Sequence, residues 1–217
     1  RKSAVVEIES SGFNEFDLES PPAWFETVAK VNRGLLWAKV RCNNGQLVFV
    51  GNTHLTPFVG QAALRKKQIE AMARELKIQS TGVDQVLVGG DMNVAADFKS
   101  LNQSSQRALE NARQLYTLVP SRTQLRDLFR AVNIEDPGYT FNTDFWPTKL
   151  FRKRDKSEMR VDYVWGGEQT PRSRMVVETA KLDFKARVDL NGVENPNGLY
   201  VSDHFLVGFS LILFDVP

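Results

Sequence analysis

The chain contains few histidines and cysteines, and it has no long apolar run. Its one cysteine, Cys42, excludes an internal disulfide framework. No apolar stretch reaches the ~20 residues that a membrane-spanning helix needs, so the sequence predicts no transmembrane segment. The two histidines, His54 and His204, are the side chains whose ordinary pKa lets them exchange protons near neutral pH. A catalytic centre that uses a histidine to transfer protons must therefore contain His54 or His204.

The rest of the composition is that of an ordinary globular protein. Hydrophobic residues make up 42% of the 217-residue chain and charged residues 25%, and the net charge is +2. This length fits one domain, and we expect residues 1–217 to form it. The net charge is too small to indicate a partner, but residues 149–156 form one strongly basic stretch.

The pattern of residues 35–89 predicts a β-hairpin followed by a β-α-β unit. Strands 35–40 and 47–53 should pair through a turn at Asn43-Asn44-Gly45. A helix over 61–79 places its apolar residues on one broad face, and 85–89 reads as a short buried strand. Strands 47–53 and 85–89 should then be parallel neighbours.

The later pattern adds a second helix and returns to β structure. We expect the helix near 124–130, alternation over 159–165 with Tyr163 and Asp162 on opposite faces, and a strand within 174–188. The almost wholly apolar run 205–214 predicts a central strand. The predicted fold class is α/β (α+β), a four-layered sandwich of two packed mixed β-sheets with outer helices.

Polar residues stand where these strands end or begin. His54 follows strand 47–53, and Asp91 and Asn93 follow strand 85–89, so they should meet at one sheet edge. Asp203 and His204 precede the last strand and would meet the same edge if that strand runs antiparallel. Asp162 joins them if its side chain faces the site.

Such a set suits hydrolysis of a phosphate ester. Asp91 and Asp203 can hold a hard cation such as Mg²⁺ through oxygen, which neutralises phosphate charge and activates water. Asn93 offers an amide donor, and a histidine beside a carboxylate can act as a base. Structural alternatives remain for each motif: a turn at Gly-Asp-x-Asn, an ion pair of Asp162 with Arg160, and a helix cap at Ser-Asp-His.

Five short segments carry a resemblance to the endonuclease/exonuclease/phosphatase superfamily. They are Asn52-Thr-His-Leu55, Gly90-Asp-Met-Asn93, Tyr139-Thr-Phe141, Arg160-Val-Asp-Tyr163 and Ser202-Asp-His204. Their order and spacing are similar to the family pattern from about residue 33 to the end. Two further features look most like the neutral sphingomyelinase and tyrosyl-DNA phosphodiesterase branches. They are Arg33-Gly-Leu-Leu36 ahead of the hairpin, and Arg65 with Gln68 on the helix after His54.

The resemblance implies a role for each residue. His204 would be the catalytic histidine, oriented by Asp162, and Asp203 a metal-site carboxylate. Asp91 would position or deprotonate the attacking water, and the general base is either Asp91 or His204. Asn93 and His54 would contact the phosphate, and His54 would assist the leaving oxygen. The implied reaction is in-line attack of water on phosphorus with Mg²⁺ or Mn²⁺.

The resemblance has no counterpart at the front of the chain. The family's strands that carry an asparagine and a metal-binding glutamate match nothing in residues 1–32. We therefore expect an N-terminal segment or another chain to complete the domain and to supply that glutamate.

Aromatic and basic residues indicate the substrate class. Phe58 and Trp146 could stack on bases, and Arg152 and Arg154 in the basic stretch could contact phosphates. The same pairing suits phospholipid headgroups at a membrane surface. We therefore expect a phosphodiesterase acting on nucleic acid or a phospholipid headgroup. The alternatives are a phosphomonoesterase for an inositol phosphate or nucleotide, and a catalytically inactive module that binds nucleic acid or lipid.

Overall fold

The computed structural model of the chain describes residues 5–16, 33–57, 61–100, 106–142, 157–171, 173–183, 187–188, 199–200 and 206–215. The strands are β1 (Val5–Glu15), β2 (Gly34–Cys42), β3 (Leu47–Thr53), β4 (Gln85–Asp91), β5 (Phe98–Ser100), β6 (Arg126–Asp127), β7 (Phe141–Asn142), β8 (Ser157–Met159), β9 (Asp162–Glu168), β10 (Ser173–Asp183), β11 (Arg187–Val188), β12 (Leu199–Tyr200) and β13 (Leu206–Asp215). The helices are α1 (Ala62–Gln79), α2 (Gln106–Thr123) and α3 (Leu128–Val132). No helix among these residues is long and apolar enough to cross a membrane.

A six-stranded mixed sheet forms the centre of the described structure, with strand order β1-β2-β3-β4-β9-β6. The predicted hairpin is confirmed, since β2 and β3 pair antiparallel across a turn in which Gly45 adopts a φ of 85°. The predicted β-α-β unit is also confirmed: β3 and β4 are parallel neighbours joined through α1. The other neighbouring pairs in this sheet are antiparallel.

The apolar side chains of this sheet share one core with α1 and α2. Fully buried members from the strands are Leu35, Phe49, Val88 and Trp165, and they belong to the same cluster as Ile69, Met72 and Val119 from the helices. The predicted apolar face of α1 is therefore the face that enters the core. Burial of this kind stabilises the fold by about 25 cal/mol for each Å² of apolar surface.

The remaining described strands form smaller sheets. They pair as β10-β13, β11-β12 and β5-β8-β7. The prediction that the last apolar run is a central strand is wrong for the described residues, because β13 pairs with β10 alone, and Ile212 and Phe214 are 44% and 42% exposed. An apolar run predicts burial, but the sheet that a strand joins depends on tertiary contacts. The architecture is thus a mixed α/β fold with one large mixed sheet and small ones.

The predicted helix near 124–130 is confirmed only at its end, since helix α3 spans Leu128–Val132 and residues 124–127 are not helical. Helix α2 ends at Thr123, and Gln124 adopts a left-handed φ of 60°, which helices do not continue through. Asp127 then pairs with Trp165 in β9 and caps the short helix α3 by accepting hydrogen bonds from the backbone N–H groups of Phe129 and Arg130. The segment 124–130 is thus divided at Asp127, which belongs to β6 and also caps α3.

A buried charge network lies under the end of β9. The guanidinium of Arg160 is 1% exposed, and it lies 2.7 Å from the Asp127 carboxylate and 3.4 Å from the Asp97 carboxylate. Its Cζ lies 4.8 Å from the ring centroid of Tyr163, 5.6 Å from that of Phe129 and 5.8 Å from that of Tyr116.

Tyr116 completes this network. Burial, together with the Asp127 carboxylate, raises the pKa of Tyr116 to about 12. Its hydroxyl therefore stays protonated and donates to Asp127 at 2.9 Å.

Strand β4 approaches the end of β3 very closely at Gly90. Gly90 adopts a φ of 133°, and a Cβ placed there would lie 1.8 Å from the carbonyl oxygen of Thr53. Because L-residues rarely adopt this φ and no Cβ tolerates that distance, only glycine fits. The neighbouring Gly89 has no such restriction, since its Cβ would meet the Tyr163 carbonyl oxygen at an ordinary 3.6 Å.

We predict that Gly90→Ala lowers the free energy of unfolding by at least about 2 kcal/mol, because it adds backbone strain and a steric clash. Gly89→Ala is the matched control, and its loss should stay below about 1 kcal/mol. Urea denaturation followed by circular dichroism measures both variants. Equal stability losses would show that the contact with Thr53 is not a constraint.

We predict that Arg160→Met lowers the free energy of unfolding by about 3–5 kcal/mol, because it leaves the buried Asp127 carboxylate without its cation. Arg126→Met is the control, since Arg126 is 49% exposed and pairs with Glu168 at the surface. Its loss should be no more than about 1 kcal/mol. The same denaturation experiment compares them, and an equal, small effect would contradict the buried network.

Candidate active site

The candidate site lies where β4 ends beside β3 and β9. Asp91, the last residue of β4, stands directly opposite Asp162, the first residue of β9. Opposed residues on antiparallel strands project to the same face of a sheet, so the two carboxylates are neighbours. His54 follows the last residue of β3, which runs parallel to β4. His54 and Asp91 are 37 positions apart in the sequence, and Asp91 and Asp162 are 71 positions apart. The strand pairing brings all three to one edge of the sheet.

His54 and Asp91 are in direct contact. The His54 Nε2 lies 3.4 Å from the Asp91 Oδ2, and the side chains are 55% and 14% exposed. The backbone supports this pair, because the N–H of Leu55 donates to the Asp91 carbonyl at 2.9 Å. A histidine beside a carboxylate at a solvent-accessible edge can donate or accept a proton.

Asn93 connects the two loops that follow β3 and β4. Its side-chain amide donates to the Leu55 carbonyl at 3.0 Å, and its backbone N–H donates to the Asp91 Oδ1 at 2.8 Å. Asn93 adopts a left-handed φ of 48°, a conformation that asparagine tolerates better than most residues. The described role of Asn93 is thus to join the loops, and its predicted contact with phosphate stays a prediction.

Thr140 holds the start of β9. Its side-chain oxygen accepts from the backbone N–H groups of Val161 and Asp162, both at 3.1 Å, and Thr140 is fully buried. The Tyr139-Thr-Phe141 motif therefore supports the backbone of Asp162. The carboxylates that surround Arg160 are those of Asp127 and Asp97, which weighs against the reading of Asp162 as its ion-pair partner.

Two arginines lie near Asp91, and the sequence did not identify them as site residues. Burial lowers the pKa of Arg33 and of Arg65, and the attraction of Asp91 opposes that shift in both. Both remain charged at neutral pH, as arginine does in proteins. Arg33 also donates to the His54 carbonyl at 3.2 Å. Cations at this edge would favour a negatively charged substrate.

The signal for Arg65 was present in the sequence. Arg65 and Gln68 are three positions apart on α1 and so share a helix face. Both polar side chains fall among the apolar positions of that face, and both are buried, at 4% and 2% exposure. Arg33 precedes β2 without any such pattern.

The described donors fit part of a metal site. Asp91 and Asp162 present carboxylate oxygens, the ligands that Mg²⁺ prefers. Among the residues that the structure describes, no group of three or more His, Cys, Asp or Glu side chains could hold a metal ion. A complete site would need further oxygen ligands.

Several predicted site residues lie outside the described residues. They are His204, Asp203, Phe58, Trp146, Arg152 and Arg154. Strand β13, which follows Asp203 and His204 in the sequence, pairs with β10 and not with β3 or β4. Their predicted roles stay predictions.

Solved structures with a similar fold include the following three. TDP2 from D. rerio, complexed with a single-strand DNA product, is 17% identical, with a TM-score of 0.65 over 96% of this chain and 69% of that one. The human Nocturnin catalytic domain with a bound sulfate anion is 16% identical, with a TM-score of 0.57 over 96% of this chain and 58% of that one. A mannosyl-6-phosphatase from Bacteroides thetaiotaomicron is 17% identical, with a TM-score of 0.57 over 95% and 67%.

At these identities the likeness establishes the fold alone. Among curated proteins, none matches the sequence. Residues 2–204 match the sequence model of one protein family, the endonuclease/exonuclease/phosphatase family. The chain belongs to the endonuclease/exonuclease/phosphatase family.

Proposed function

We propose that this protein is a Mg²⁺- or Mn²⁺-dependent phosphodiesterase that hydrolyses a phosphate ester bond by in-line attack of water. The observation that supports this best is the juxtaposition of His54, Asp91 and Asp162 at one edge of the central sheet. A purely structural role would not require an exposed histidine, His54, in contact with Asp91, nor a second carboxylate, Asp162, beside Asp91. The family contributes the general chemistry of phosphoester cleavage.

Each residue has a distinct task in this proposal. Asp91 orients the attacking water, and either Asp91 or His204 accepts its proton. Asp162 orients His204. His54 contacts the phosphate and assists the leaving oxygen, and Asn93 keeps the loops of His54 and Asp91 in register through its bonds to Leu55 and Asp91.

Asp91 and Asp203 would hold the proposed cation, with further oxygen ligands. When bound, it neutralises phosphate charge and makes water a better nucleophile. This chain spans 69% of the D. rerio TDP2 structure.

The substrate class favoured here is nucleic acid. The D. rerio TDP2 structure contains single-strand DNA, and the basic stretch with Arg152, Arg154 and the aromatic residues Phe58 and Trp146 suits stacking and phosphate contact. Arg33 and Arg65 add positive charge beside Asp91. A phospholipid headgroup offers the same phosphodiester chemistry and is the second substrate in the test below.

A phosphomonoesterase is the second candidate function. The fold is shared with a mannosyl-6-phosphatase, which acts on a monoester. An inositol phosphate or a nucleotide would be the corresponding substrate. A catalytically inactive binding module is the remaining alternative, and it predicts binding without turnover.

The catalytic proposal predicts that Asp91→Asn and His204→Ala each lower turnover by at least about 10²-fold, because each removes a proton-transferring or metal-holding group. Asp84→Asn is the matched control, since Asp84 lies just before the opposite end of β4 and its Oδ2 accepts from the Leu47 N–H at 2.9 Å. Its turnover should stay within about threefold of wild type. The assay uses bis-p-nitrophenyl phosphate, single-stranded DNA, sphingomyelin and inositol phosphates with Mg²⁺.

The pattern of substrates decides among the candidates. Cleavage of DNA or sphingomyelin identifies the diesterase and its substrate, whereas release of phosphate from inositol phosphates alone supports the monoesterase. Binding of DNA without cleavage of any substrate would support the inactive module. Unfolding of Asp91→Asn, seen by circular dichroism, would indicate a structural role for Asp91.

Removal of divalent cations should abolish the activity. We expect dialysis against EDTA to reduce turnover to background, and Mg²⁺ or Mn²⁺ to restore it, because the proposed metal ligands Asp91 and Asp203 need a cation between them and the phosphate. Turnover that persists in EDTA would contradict a metal-dependent mechanism. A parallel melting curve checks that EDTA leaves the fold intact.

A further inference from the structure

Helix α1 forms hydrogen bonds with Thr56, which lies two residues after His54. All three polar groups of Thr56 are bonded to this helix. The Thr56 N–H donates to the Gln68 Oε1 at 2.9 Å, the Gln68 Nε2 donates to the Thr56 Oγ1 at 2.7 Å, and Arg65 donates to the Thr56 carbonyl at 3.1 Å. Thr56, Arg65 and Gln68 are 2%, 4% and 2% exposed. We name this arrangement the Thr56 clamp.

The clamp is continuous with the candidate site. Leu55, between His54 and Thr56, donates its N–H to the Asp91 carbonyl and accepts the Asn93 amide at its own carbonyl. The segment 54–56 is therefore held on one side by the end of β4 and on the other by α1. Its backbone has little freedom, so the direction of the His54 side chain depends on both supports.

The clamp uses a rigid element. Arg65 and Gln68 lie one helical turn apart on an 18-residue helix that packs into the core through Ile69 and Met72. Residues that orient a reacting group need their own rotamers locked by packing and hydrogen bonds. Burying an arginine and a glutamine costs free energy unless their groups are bonded, and here those bonds converge on one loop.

We propose that Arg65 and Gln68 are positioning residues that set the His54 imidazole against Asp91. The proposal rests on the proposed phosphodiester hydrolysis at the same site. Neither residue needs to touch the substrate. A displacement of His54 by about 1 Å is enough to lower turnover by about 10²-fold, because the reacting groups leave their productive geometry.

The kinetic test uses Gln68→Leu, which removes both hydrogen bonds of Gln68 to Thr56 and keeps a similar side-chain size. On bis-p-nitrophenyl phosphate with Mg²⁺ we expect kcat to fall by about 10- to 100-fold and KM to stay within about twofold. Gln68→Glu retains an acceptor for the Thr56 N–H and hydroxyl, and it should recover most of the turnover. Thr56→Val removes one bond, keeps the volume and should give a smaller loss, which covers the case in which Gln68→Leu fails to fold.

Ser173→Ala is the matched control for stability. Ser173 is 1% exposed, and its hydroxyl donates to the Asp84 carbonyl at 2.8 Å, near the opposite end of β4. It should lower the melting temperature without a change in kcat. If Gln68→Leu behaves like Ser173→Ala, with reduced stability and unchanged kcat, the clamp is merely structural and the proposal is overturned.

A second measurement does not depend on turnover. The chain has two histidines, so the ¹H–¹⁵N imidazole signals of His54 can be assigned by their loss in His54→Asn. We expect Gln68→Leu to shift the His54 signals and Ser173→Ala to leave them in place. Unchanged His54 signals in Gln68→Leu overturn the positioning proposal. Shifted signals in a protein that cleaves none of the substrates would support the positioning role while refuting the proposed function.

Discussion

The contact between Gly90 and Thr53 is the constraint on which the candidate site depends. At this point the backbone of β4 passes so close to β3 that a Cβ would overlap the Thr53 carbonyl. The next residue along β4 is Asp91, and the next along β3 is His54, so the closeness of the two backbones places their side chains within 3.4 Å. The two glycines before Asp91 therefore have different tasks, since Gly90 permits the approach whereas Gly89 occupies ordinary space.

Successive supports extend outward from that contact. Asn93 and Leu55 join the two loops, Thr140 holds the backbone of Asp162, and the Thr56 clamp attaches the loop of His54 to α1. Beneath them, Arg160 neutralises the buried Asp127 carboxylate, and it supports the chain between Asn93 and β5 through its pairing with Asp97. The hydrogen bonds of Thr56, Gln68 and Thr140 pair polar groups that would be costly if buried alone, which stiffens this edge of the sheet.

Electrostatics at this edge combine both signs of charge. Asp91 and Asp162 are suited to a cation, while Arg33 and Arg65 lie close enough to Asp91 for its charge to act on them. Such a mixture suits a phosphate ester, in which an anionic group must be bound while a nucleophile is activated beside it. Proteins with a similar fold include one bound to single-strand DNA, one bound to sulfate and a mannosyl-6-phosphatase. The fold therefore does not determine the substrate, which depends on the loops and on the residues around this edge.

Local patterns in the sequence were enough to predict the hairpin at Gly45, helix α1, the parallel pair β3-β4 and the meeting of His54 with Asp91, because each depends on short-range periodicity and on the right-handed crossover. They could not predict the end of α2 at Gln124, the partner of β13 or the proximity of Arg33 and Arg65 to Asp91. Those features depend on contacts between residues far apart in the chain: Asp127 with Arg160 and β9, β13 with β10, and Thr56 with Gln68. Periodicity reports which face of an element is buried, whereas its neighbours are chosen by packing and by the pairing of buried polar groups.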